Sequence, residues 1–176
     1  MPRHLDGFTL IELLVTVAII TIVLSLASPS FAGLHQRTAI TAQHNLLMTS
    51  FATARSHAVH FSRLTTLCPG TPTSGCRTDG VWDHGWRVFV DADGNGEFNA
   101  ADTVVLYEER VPDALRIRSS KSRAKAVFRP DGSAAGTNLT VRLCVHEAVQ
   151  AGIVLSNVGR ARKAGANELA AMPDCD

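Results

Sequence analysis

GFTLIELLVTVAIITIVLSLASPSF, residues 7–31, decides how this chain is read. From residue 8 to residue 28 it holds no lysine or arginine and a single acid, Glu12. About twenty apolar residues in a helix span the hydrocarbon core of a bilayer. A secretory signal peptide puts a basic segment first, then a short apolar core, then a small-residue cleavage site. Here the small residue, Gly7, precedes the apolar run instead. A plain anchor accounts for the run but not for Glu12, because an acid at the centre of a membrane helix costs ~2.5–3.5 kcal/mol on insertion scales.

G-F-T-L-I-E-L-L-V resembles the N-terminus of type IV pilins and pseudopilins. The resemblance implies cleavage after Gly7 by a prepilin peptidase and methylation of the new amino terminus at Phe8. Residues 1–7 are then a leader. It also gives Glu12 an assembly role: one turn into the mature chain, its carboxylate can meet the terminal amine of a neighbouring subunit. Such pairing is how intramembrane charges are tolerated. A negative side chain in a first helical turn also suits the helix dipole.

Beyond the run, Pro29 permits a bend, since proline removes a backbone donor and crowds the preceding turn. Ile40, Leu47, Phe51, Ala54, Ala58 and Phe61 recur at steps of three, four or seven, an apolar stripe that needs a sheet or partner to cover it. Thr38, Gln43, Arg55 and His57 fall off that stripe. A helix is expected from about residue 8 to about 61: an assembly and membrane segment over 8–28 and an amphipathic continuation over 29–61.

From residue 62 to 176 the pattern turns to strands. GWRVFVDAD, DTVVLYEER, LRIRSS, KAVFRPDGS, NLTVRLCVH and AGIVLSNVG are short, β-rich and separated by Gly, Pro, Asn and Asp. In NLTVRLCVH, Leu139, Val141, Leu143 and Val145 alternate with Thr140, Arg142, Cys144 and His146, so one face is buried. An α+β chain follows: a long N-terminal helix packed on antiparallel sheets in a head domain, which the resemblance places in the periplasm.

GWRVFVDADGNGEF, FRPDGS and GIVLSNVGRARK narrow the resemblance to the GspH/FimT branch, which holds minor pilins of type IV pili and minor pseudopilins of type II secretion. The type IV pilin fold is then expected. FimT-like members are associated with DNA binding in natural transformation through a C-terminal G-R-x-R segment, carried here by Gly159, Arg160, Ala161 and Arg162, with Lys163 next. The resemblance implies an inner-membrane, single-pass protein that joins other pilin subunits in a pilus, at or near its tip. The alternatives are a GspH-like pseudopilin that primes filament assembly in secretion, and a structural minor pilin without ligand.

Four cysteines lie in the head, and an even count in an oxidising compartment suggests two disulfides. Three pairings are open. Cys68 and Cys76 bracket the turn-rich PGTPTSG, which favours Cys68–Cys76 and leaves Cys144–Cys175. The spacing lacks the close Cys pairs of structural zinc sites.

The net charge of +1 hides an asymmetry. Residues 79–109 carry eight acids against Arg87, and residues 110–165 carry eleven bases against three acids. Such a split hints at a polyanion partner. Arg160, Arg162 and Lys163 are expected in a loop just past a strand, where their side chains project freely. Arginine suits phosphate because its planar fork donates two hydrogen bonds at once. Arg116, Arg118, Lys121, Arg123, Lys125 and Arg142 are the candidates for support. Phosphate contacts carry no sequence information, so double-stranded DNA of any sequence would serve.

DADGNGEFNAAD reads D-x-D-x-N-G-x5-D, which places Asp91, Asp93, Asn95 and Asp102 on calcium-loop ligand positions. Its last ligand is Asp where the calcium loop has a bidentate Glu, its flanks read as strands, and Asx/Gly turns share this composition for conformational reasons. No cofactor is otherwise expected. There is no H-E-x-x-H, G-x-S-x-G, phosphate loop or C-x-x-C, and the seven histidines are scattered, so no enzyme is expected.

Overall fold

The computed structural model describes residues 8–71, 73–109, 111–136 and 138–175; side chains at 26–32 are not among those described. The leader at 1–7, with Gly7, lies outside them. Helix α1 runs Leu10–Phe61. Thr9 caps it: its hydroxyl accepts the Glu12 N–H at 3.3 Å, and its carbonyl accepts the N–H groups of Glu12 and Leu13. Thr-x-x-Glu is the capping-box spacing, with the acid in the first turn beside the positive end of the helix. Pro29 does not end α1.

Internal contacts divide the chain into two units, residues 1–38 and 39–176. In the first, the large apolar side chains from Phe8 to Leu24 are exposed, Phe8 at 85%. Among the described residues no helix is long and apolar enough to cross a membrane.

In the second unit the stripe takes hold. Leu47, Phe51, Ala54 and Ala58 are buried, at helical steps of four, three and four. Phe61 is exposed, contrary to expectation. Ser62 turns left-handed (φ 52°) and ends the helix, so the ring rests against His57 and His60 at 5.0 and 4.7 Å instead of entering the core.

The strands are β1 Thr65–Pro69, β2 Trp86–Val90, β3 Thr103–Glu108, β4 Leu115–Ser119, β5 Ala126–Phe128, β6 Leu139–Val145, β7 Ala148–Leu155 and β8 Ala161–Lys163; a short helix α2, Ala166–Ala170, follows. Two four-stranded sheets form, ordered β3-β2-β1-β5 and β4-β6-β7-β8, with every pairing antiparallel. The α+β reading holds.

Two strands had no counterpart in the sequence reading. β1 is buried throughout and so does not alternate. β8 is only three residues long and exists by pairing with β7, Val154 opposite Arg162. Trp82 and Trp86 are fully buried, their indole N–H groups donating to Ser119 Oγ (3.1 Å) and Ser50 Oγ (2.9 Å). Neither can stack on a base.

Cys68 joins Cys76, and Cys144 joins Cys175. Arg87, buried against the Phe98 ring, donates to the carbonyls of Thr71 and Ser74 and so holds the first disulfide loop from beneath. Burial pulls its guanidinium below its ordinary pKa. Cys144, expected on the outward face of β6, is fully buried. The tail covers it: besides the disulfide, the Cys175 N–H donates to Glu147 O at 3.0 Å.

Candidate nucleic-acid interface

The G-R-x-R segment forms the turn of the β7–β8 hairpin. The Gly159 N–H donates to Ser156 O (2.9 Å), and the Ser156 N–H donates to Arg160 O (3.0 Å). Gly159 sits at φ +79°, and a Cβ there would fall 1.8 Å from Gly132 O. Only glycine fits, on both counts. Gly132 closes a second turn, its N–H donating to Arg129 O (2.8 Å). Gly132 O also accepts from Arg55 Nε on α1 at 3.0 Å. Helix, β5–β6 turn and β7–β8 turn therefore meet at one carbonyl.

Arg160 is exposed, and among the described residues its guanidinium has no hydrogen-bond or carboxylate partner. It borders an open groove of about 640 Å³ whose floor includes Met48, Phe51, Ala52 and Val59.

Arg162 is a correction: it does not project freely from a loop. It lies on β8 and donates both terminal nitrogens to Glu168 of α2, at 2.7 and 2.6 Å. Glu168 also accepts the Gly165 N–H at 2.8 Å. The Arg162 bonds and that backbone bond hold the Glu168 carboxyl down at about 2, and the carboxylate in turn raises Arg162. Lys163, the last residue of β8, is exposed.

Five of the six supporting cations are spent inside the subunit. Arg118 pairs with Asp83 at 2.6 Å, and Arg116 lies 3.9 Å from the same carboxylate. Arg123 donates to Ala135 O (2.6 Å), and burial lowers its pKa. Lys125 donates to Gly96 O and pairs with Glu97 at 2.7 Å. Arg142 donates to Pro173 O and Asp174 O, at 2.7 and 3.0 Å. Lys121 alone of the six is exposed with no partner among the described residues. Arg55 was missed, since on the sequence it is one polar residue off an apolar stripe.

In the calcium-like loop, oxygens of Asp91, Asp93 and Asp102 converge within 4.8 Å of one another. Those carboxylates already accept backbone donors: Gly94 and Gly96 N–H to Asp91 (2.7 and 2.8 Å), Asn95 N–H to Asp93 (3.2 Å), Ala92 and Asn99 N–H to Asp102 (both 2.9 Å). Asn95 turns its side-chain oxygen to the Glu97 N–H at 2.6 Å. The Asx spacing serves the turn itself.

A family model described as type II transport protein GspH matches residues 43–159, more than half of the chain. The chain belongs to the GspH family. A second model, the prokaryotic N-terminal methylation motif, matches residues 4–28. Two crystal structures of the Pseudomonas aeruginosa type IV minor pilin FimU share the fold at 18% identity. In space group P21 the TM-score is 0.59, covering 75% of this chain and 92% of that one. In space group P65 it is 0.55, covering 74% and 94%. Among curated proteins none matches. GspH proteins are minor pilins or pseudopilins, filament subunits and not known enzymes, so other pilin subunits and a prepilin peptidase are partners of this one. The GspH match stops at Gly159, and Arg160 to Lys163 lie beyond it.

Proposed function

We propose that this GspH-family minor pilin binds double-stranded DNA without sequence preference through Arg160 and Lys163, for uptake in natural transformation. Before assembly it sits in the inner membrane with a periplasmic head; afterwards it joins the pilus at or near the tip. Cleavage after Gly7, methylation of Phe8 and an intersubunit contact of Glu12 belong to the same reading. The observation that carries it is Arg160: a rigid glycine turn presents a guanidinium with no partner among the described residues, while five of the six supporting cations are spent. Arg162 joins only by exchanging Glu168 for phosphate.

The test is a salt-titrated DNA-binding measurement on the detergent-solubilised chain. Arg160→Gln is expected to remove most of the affinity with the circular dichroism spectrum unchanged. Retained binding refutes the assignment.

The family description favours a second reading, a pseudopilin of type II secretion whose charges meet protein partners. Deleting the gene then leaves DNA uptake normal and impairs export; the first reading expects the reverse.

A further inference from the structure

We infer that Arg55, on α1, is a second phosphate ligand beside Arg160, so that the groove between them holds the sugar–phosphate backbone of a DNA strand. This rests on the function proposed above.

Arg55 and Arg160 line the same groove, one from the helix and one from the β7–β8 turn. No carboxylate lines it. Two guanidiniums share a concave surface without a facing anion, and low-dielectric walls strengthen their field toward an incoming one. The Arg55 Nε bond to Gly132 O anchors its plane. The two terminal nitrogens remain for end-on contact with a phosphate oxygen pair, the geometry arginine is suited to.

Fixation to Gly132 also fixes Arg55 against the turn that bears Arg160. Its Nε lies 3.3 Å from the position a Cβ on Gly159 would take. The apolar floor, including Val59 and Ala52, offers a surface for deoxyribose between successive phosphates. Charge and shape thus select a phosphodiester chain over a free anion, which has nothing to lay on that floor.

The experiment uses the detergent-solubilised full chain and a short mixed-sequence duplex, with affinity measured across a salt series. Arg55→Gln is expected to weaken binding roughly tenfold at low salt and to lower the slope of log affinity against log salt by about one, the effect of one lost phosphate contact. Arg55→Lys, which keeps the charge but not the fork, is expected to restore the slope with part of the affinity. Thermal midpoints are recorded for both.

If Arg55→Gln keeps the wild-type slope while Arg160→Gln loses binding, Arg55 is no ligand and the inference falls alone. If Arg55→Lys loses as much slope and affinity as Arg55→Gln, Arg55 only positions the turn, and the inference falls again. If the wild type does not bind, or Arg160→Gln binds equally, the proposed function falls first and takes the inference with it.

Discussion

Glu168 shows how one side chain sets the availability of another. Its carboxylate grips both terminal nitrogens of Arg162 and takes the Gly165 N–H, which depresses its pKa to about 2 from an ordinary 4.5. A depressed carboxyl pKa stabilises the folded form above the ordinary value, and that contribution is lost as pH falls through the folded value. The contact therefore persists through neutral and mildly acidic pH and fails near pH 2. A carboxyl-detected NMR titration should place the Glu168 midpoint well below 4, and Arg162→Gln should return it toward the ordinary range. A normal midpoint in the wild type means the pair does not form in solution. Arg160 has no such partner, which is why it leads the proposed site.

Elements here are held by a few close approaches. The β7–β8 hairpin turns on Gly159, where the left-handed backbone and the Gly132 carbonyl both exclude a side chain. Gly159→Ala is expected to cost about 2–4 kcal/mol from the strained φ and the backbone shift needed to relieve the clash. Urea denaturation measures it, and a loss within a few tenths of a kcal/mol would show that the two turns do not pack as described. The C-terminal segment is a strap held by Cys144–Cys175, by Arg142 on two tail carbonyls and by the Arg162–Glu168 pair. A disulfide closing a separation of 31 residues is worth about 3–4 kcal/mol in the loop-entropy account. Replacing both cysteines with Ala should lower stability by that order, read as a fall in denaturation midpoint together with a steeper denaturant slope, because the uncrosslinked unfolded chain exposes more surface.

For the molecule as a whole, the two charge blocks neutralise each other within one subunit. Arg118 meets Asp83 and Lys125 meets Glu97, basic block against acidic block in both cases. Binding driven by all eleven bases of residues 110–165 would show a steep salt dependence. With Arg160, Lys163 and Arg55 as the cations of the proposed site, the expected slope of log affinity against log salt is about −2 to −3. A slope near −8 would mean that the internal pairs open on DNA. The same whole-chain view covers the N-terminal unit: Thr9 and Glu12 start a helix whose exposed apolar flank has no partner within the described subunit. In a filament protein that flank is where neighbouring subunits or lipid belong.

The sequence by itself determined whatever depends on near neighbours. The Thr-x-x-Glu start of α1, the helical stripe through Leu47, Phe51, Ala54 and Ala58, the alternation from Leu139 to Leu143 along β6 and the loop-bracketing Cys68 and Cys76 are all local patterns, set by backbone period and chain closure. The pairing left over, Cys144 with Cys175, followed only because the first was favoured. Which arginines are free was decided by tertiary structure alone. Arg116, Arg118 and Arg142 look like Arg160 along the chain, and they differ only in what the fold brings within hydrogen-bond reach. β8 is a strand because β7 lies beside it, and Arg55 joins the candidate site because Gly132, distant in sequence, offers it a carbonyl. A guanidinium's fate is set by partners across the fold, and no periodicity along the chain encodes them.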